Sequence, residues 1–166
     1  MVTPKDEAVG IPSRRQYGDI SKLKPGDIVD FVIQQHEATR AGKHYDVRFG
    51  TPETQLFSWA MRKELPKPGE RRLAIQQPLH RYEYRRFEGK IPKGYGKGVV
   101  KKVYDTKIVI TDVQPDKIIF TTAEERYPER FALIKNKNNK WFVINITPTE
   151  YPEYEKPKFK QVDASA

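Results

Sequence analysis

His44-Tyr45-Asp46-Val47-Arg48-Phe49 alternates polar and apolar residues without a break. In an extended chain successive side chains point to opposite faces. Tyr45, Val47 and Phe49 then share one face, and His44, Asp46 and Arg48 the other. This is the period of a half-buried strand, not of a helix. The run before it, Ile28–Gln35, is rich in β-branched residues and leads to His36. Between them Glu37–Lys43 contains Gly42 and reads as a hairpin loop, which brings His36 back beside His44.

Working outward, further strands are expected at Gln55–Met61, Arg72–Gln76, Gly98–Tyr104, Lys107–Asp112, Lys117–Thr122, Glu129–Lys135 and Trp141–Ile146. Turn signals such as Lys67-Pro68-Gly69, Gln114-Pro115-Asp116 and Asn136-Lys137-Asn138-Asn139 bound them. About eight or nine short strands at this spacing predict a mostly β fold, an antiparallel barrel or sandwich. A helix is allowed for at 122–130 or near the N-terminus. Trp59 and Trp141 fall in strand-like runs and are expected in the core.

The 166 residues suffice for one domain with a real core. Residues 1–25, with Pro4, Pro12, Pro25 and Arg14-Arg15, read as an N-terminal arm. Residues 26–148 form the barrel domain. The proline-interrupted, charged stretch 149–166 reads as a disordered tail. The absence of cysteine excludes a disulfide scaffold, a thiol nucleophile and thiolate metal sites. No apolar run approaches the roughly 18 residues of a membrane span, and no secretory apolar region opens the chain. The expectation is a soluble, cytoplasmic protein with no membrane partner. Lysine and arginine number 31 against 22 acids, a net charge of +9. Aromatics are interleaved with the basic residues, as in Arg81, Tyr82, Tyr84, Arg85, Arg86 and Phe87. Such a surface neutralises phosphates and stacks on bases, so nucleic acid is the expected partner.

Only three histidines are present: His36, His44 and His80. If the hairpin forms, His36, His44 and Asp46 converge as a two-imidazole, one-carboxylate set suited to manganese, iron or zinc. Arg48 follows on the same face, where a planar guanidinium clamps phosphate oxygens beside a metal. The bland alternative is a solvated polar strand face. Gly94-Tyr95-Gly96-Lys97-Gly98 lacks the strand–loop–helix context of a phosphate-cradling loop and reads as a tight turn. Lys90, Lys93, Lys97, Lys101 and Lys102 form either a solvated face or a nucleic-acid track.

The segment from His36 through His44-Tyr45-Asp46-Val47-Arg48 resembles the histidine, HYDxR signature of the 3′-phosphoesterase domain of bacterial DNA ligase D and its stand-alone archaeal relatives. The match continues through Ser58-Trp59-Ala60, Arg72-Leu73-Ala74-Ile75 and His80-Arg81-Tyr82-Glu83-Tyr84. It then takes in Phe87-Glu88-Gly89-Lys90-Ile91-Pro92 and Gly94-Tyr95-Gly96-Lys97-Gly98, within residues 31–145. The resemblance implies an antiparallel β-barrel of about eight strands with minor helical additions. It also implies a manganese-dependent hydrolase that removes a 3′-terminal ribonucleoside and then the 3′-phosphate during DNA repair by end joining. By similarity His36, His44 and Asp46 hold the metal. Arg48, Arg72 and His80 bind the scissile phosphate, Tyr84 supports that pocket, and Lys63 matches the family's lysine after Trp-Ala. Primer–template 3′ ends are the implied partner, with a DNA ligase or polymerase acting next.

Two departures stand out. The His36–His44 spacing is longer than in the usual motif. The family's acidic N-terminal segment has no counterpart, with Arg14-Arg15 in its place. Unequal activity on the two 3′ ends is therefore expected, with the diester favoured. The alternative from another class is a non-catalytic basic β-barrel that binds nucleic-acid ends or recruits a ligase or polymerase.

Overall fold

A computed structural model describes residues 14–94, 96–124 and 127–148. Most of the expected arm (1–13), Tyr95 and the expected tail (149–166) lie outside the described residues.

Nine strands follow one another: β1 (Ile28–Ala38), β2 (Gly42–Thr51), β3 (Gln55–Met61), β4 (Arg71–His80), β5 (Gly89–Ile91), β6 (Gly98–Gln114), β7 (Lys117–Thr122), β8 (Arg130–Lys137) and β9 (Lys140–Asn145). Their order is β1-β2-β3-β4-β9-β8-β7-β6, and β6 pairs back onto β1. The result is a closed, eight-stranded antiparallel barrel, with β5 as a short outrider on β6. The barrel is thereby chosen over the sandwich. Helical structure among the described residues is a single α-helical turn at Arg14–Tyr17 and 3-10 turns at Ile20–Lys22 and Tyr82–Arg86. None is long and apolar enough to cross a membrane.

Alternation places the apolar faces inward. Tyr45, Val47 and Phe49 join Phe31, Trp59, Phe120 and Trp141 in the barrel core. Trp59 is 0% exposed and Trp141 3%. Phe49 stacks on Trp59 at 5.3 Å, and Trp59 meets Trp141 edge-on at 5.4 Å. Ile20 and Leu23, from the described end of the lead-in, pack into the same core.

Three expectations need correction. The separate strands read at Gly98–Tyr104 and Lys107–Asp112 are one strand, β6. Asp105-Thr106 does not turn there, because β1 pairs along its length from Ala38↔Gly98 to Ile28↔Val109. Of the two places allowed for a helix, the N-terminal one holds the turn Arg14–Tyr17, and none forms among the described residues of 122–130, where β7 ends at Thr122 and β8 begins at Arg130. The third concerns the polar face of β2, which is not open to water. The segment from Arg81 to Gly94 folds back over the outside of the wall, and a second apolar cluster of Leu56, Tyr84, Phe87, Ile91 and Val100 glues it down. As a consequence β1, β2 and β3 are buried on both faces over much of their length. Alternation had hidden this, because the residues beneath the cover are polar.

The cover returns to the wall at Gly98. A Cβ built there would stand 2.1 Å from the Glu37 carbonyl oxygen and 2.7 Å from the Ala38 Cα. Both obstacles are backbone, so Gly98→Ala must push β6 off β1. We expect a stability loss of about 1–3 kcal/mol, read as a lower thermal midpoint. An unchanged midpoint would show that the seam yields freely.

Candidate metal and phosphate site

The hairpin pairs His36 directly with His44, and Gln34 with Asp46. Register pairs continue outward as Glu37↔Lys43 and Ala38↔Gly42. The hairpin thus runs on for two register pairs beyond the site, and the two histidines face each other across the ladder.

The His36 and His44 rings lie 4.8 Å apart, centre to centre. One ligand atom from each of His36, His44 and Asp46 falls within 4.8 Å of the others. Asp46 Oδ1 is 3.3 Å from His44 Nε2, and its Oδ2 is 3.9 Å from His36 Nδ1. His36 Nε2 is 2.8 Å from the Gly96 carbonyl. A carbonyl only accepts, so Nε2 donates to it and Nδ1 is the atom turned toward Asp46, the one that would ligate an ion from the neutral ring. The donor set fits a divalent ion of the manganese, iron or zinc type.

Electrostatics tie the cluster together. Burial alone would push the Asp46 carboxyl up. The Arg48 charge, the His44 hydrogen bond and the two imidazoles outweigh it and hold the carboxyl below its ordinary range. Burial alone would push His44 down, but the Asp46 hydrogen bond and charge carry it above its ordinary value.

Arg48 is 2% exposed. Its Nε donates to Gln34 Oε1 at 2.6 Å and one terminal nitrogen donates to Asp46 Oδ2 at 3.2 Å. The guanidinium carbon sits 5.1 Å from the centre of the Tyr84 ring. Its other terminal nitrogen, NH1, is buried with no hydrogen-bond partner. A buried guanidinium nitrogen without a partner is costly, and an anionic oxygen is the kind of acceptor that would satisfy it.

His80 ends β4, with its ring 5.4 Å from that of Tyr84. Its Nδ1 lies 2.9 Å from the Pro78 carbonyl and 3.3 Å from Ser58 Oγ. The carbonyl makes Nδ1 the protonated nitrogen of the neutral ring.

The fold therefore gathers His36, His44, Asp46, Arg48, Tyr84 and His80 under the cover. Arg72 and Lys63 sit apart from this knot. They line a groove of about 620 Å³ beside β3 and β4, along with Arg62, Arg71 and Ala60; His44 stands at the shared edge. The Arg72 guanidinium is taken up by the Glu64 and Arg71 carbonyls and by Glu70 at 3.3 Å. The five lysines from Lys90 to Lys102 are exposed or half-buried.

Two roles at the site were not foreseen, those of the Gln34 side chain and of the Gly96 carbonyl. Gln34 is 0% exposed; it bonds Arg48 and donates to the Tyr84 and Phe87 carbonyls at 2.8 and 3.2 Å. Its signal was available: it stands two positions before His36, on the same strand face. The Gly96 carbonyl gave none, because backbone atoms leave no mark in side-chain patterns.

Residues 34–135 match the model of the DNA ligase D 3′-phosphoesterase domain. The chain is 37% identical over 132 residues to the multifunctional non-homologous end joining protein LigD of Mycolicibacterium smegmatis, covering 71% of this chain and 17% of that protein. To the protein of the same name from Pseudomonas aeruginosa it is 33% identical over 135 residues, 74% of this chain and 16% of the relative. The chain thus spans about a sixth of the length of these relatives.

Proposed function

Because the chain belongs to the DNA ligase D 3′-phosphoesterase family, we propose that it is a manganese-dependent phosphoesterase trimming nucleic-acid 3′ ends. It removes a 3′-terminal ribonucleoside, a 3′-phosphate or both, and leaves a hydroxyl for a DNA ligase or polymerase. The setting is intracellular, in the repair of DNA breaks by end joining.

The observation that carries this reading is the unpartnered NH1 of a buried Arg48, set beside a two-imidazole, one-carboxylate donor set. A pure binding surface has no need to bury a guanidinium and leave a donor unsatisfied. His36, His44 and Asp46 would hold the ion, which when bound supplies Lewis-acid polarisation of a phosphoryl oxygen. Arg48 offers NH1 to a non-bridging oxygen, with its other nitrogens fixed by Gln34 and Asp46. Tyr84 backs the guanidinium with its ring. With Nδ1–H held by the Pro78 carbonyl, Nε2 of His80 is the atom that, in the imidazolium form, gives its proton to the leaving oxygen and is left as the neutral ring. Arg72 and Lys63, in the adjoining groove, meet phosphates of the strand leading into the site.

The deciding assay is a labelled primer–template ending in a single ribonucleotide, incubated with and without manganese, with the product ends mapped. The proposal expects metal-dependent shortening, stronger for the diester than for a 3′-phosphate. Binding of the primer without cleavage in any divalent metal would favour the non-catalytic barrel. Affinity for the same primer should persist without metal and fall steeply with salt, since several basic contacts release counterions. A flat salt response would reduce the +9 charge to a solubility device.

A further inference from the structure

We infer that Tyr82 and Asp30 form a latch that positions the cover over the phosphate-binding groups, with Tyr82 as the positioning residue. The inference rests on the functional reading above for what the latch serves.

The 3-10 turn Tyr82–Arg86 carries Tyr84 inward against Arg48 and His80. Its inner side is fixed by Tyr84 stacking on Phe87 at 5.0 Å and by Gln34. Its outer side is fixed by a separate set of groups drawn from three strands. The Tyr82 hydroxyl donates to Asp30 Oδ2 of β1. Lys107 of β6, the register partner of Asp30, donates to Oδ1 at 2.8 Å. The Tyr82 amide donates to Gln55 Oε1 of β3 at 2.9 Å. Arg85 lies over the Tyr82 ring at 3.8 Å and donates to the Tyr82 carbonyl at 3.2 Å.

None of these groups belongs to the metal or phosphate cluster. Asp30 and Lys107 hold the turn at the β1–β6 seam that closes the barrel, and Gln55 ties it to β3. A turn this short has little rigidity of its own. An aromatic ring placed 5.1 Å from a guanidinium works only if that turn keeps its height above the wall. Small displacements at a phosphate-binding group carry large penalties in rate. The latch supplies the missing constraint from the outer side.

Tyr82→Phe removes only the hydroxyl and keeps the ring beneath Arg85. Hydrogen–deuterium exchange of the peptide spanning 82–87 should accelerate by roughly tenfold, with β7, β8 and β9 unchanged. Affinity for inorganic phosphate, measured without added metal, should weaken by roughly tenfold. Asp30→Asn keeps an acceptor for the hydroxyl and should fall between wild type and Asp30→Ala. Because the two residues act through one contact, Tyr82→Phe combined with Asp30→Asn should be no worse than the worse single variant. A purely structural role would lower the thermal midpoint and leave the phosphate affinity of folded molecules unchanged. Unchanged exchange at 82–87 overturns the latch whatever the activity. Faster exchange with unchanged phosphate affinity overturns it too, since the turn would then move without moving the site. If wild type neither binds phosphate nor trims 3′ ends, the functional reading fails, and the exchange result alone decides the latch.

Discussion

Replacing His44 with alanine is expected to reduce manganese-dependent trimming of 3′ ends to undetectable levels while the barrel stays folded. The His44 side chain is 17% exposed, at the mouth of the cluster, and its loss opens the site to water and leaves no buried charge stranded. Asp46 is different. It is 4% exposed and is the counter-charge of Arg48. Asp46→Ala would leave a buried guanidinium uncompensated, at about 3–5 kcal/mol. Asp46→Asn also removes the counter-charge of Arg48, but it keeps the volume and one oxygen to accept from the guanidinium, so it is the milder variant that still loses the charge a divalent ion requires. Both variants are compared with wild type by circular dichroism for fold and by mapped product ends for activity. Normal trimming by His44→Ala and Asp46→Asn would remove the proposed centre.

Arg48→Lys tests the phosphate half of the site. Lysine keeps the charge but cannot span Gln34 and Asp46 while offering a further N–H to a phosphate oxygen. One charge-assisted contact in a buried site is worth about 1.5–3 kcal/mol, so kcat/KM should fall roughly 10- to 150-fold. Manganese should still bind, because His36, His44 and Asp46 remain. Loss of the metal with catalysis restored by excess manganese would mean that Arg48 serves the ion and not the phosphate.

Much of this was legible from one hairpin. The alternation from His44 to Phe49 set the strand, its inner face and the convergence of His36, His44, Asp46 and Arg48. Pairing of His36 with His44 followed from the loop containing Gly42. What alternation could not convey was the cover. Period-2 patterns report which face of a strand meets an apolar core, and they read a polar face as solvated. Here Asp46 and Arg48 are buried because Tyr84, Phe87, Ile91 and Val100, distant in sequence, form a second cluster outside the wall. The 3-10 turn that carries Tyr84 is too short to leave a periodic signal. The roles of Arg72 and Lys63 came through resemblance alone. The fold sets them in a neighbouring groove, with Arg72 already engaged by Glu64 and Glu70.

The central claim is that His36, His44 and Asp46 hold one catalytic divalent ion. Titration of the protein with manganese, followed by electron paramagnetic resonance with detection of nitrogen couplings, tests it most directly. The account predicts one bound ion per chain coupled to imidazole nitrogen, with that coupling reduced in His36→Ala and His44→Ala. It predicts loss of the bound ion in Asp46→Asn. Absence of specific binding by wild type, or binding indifferent to all three substitutions, would contradict it.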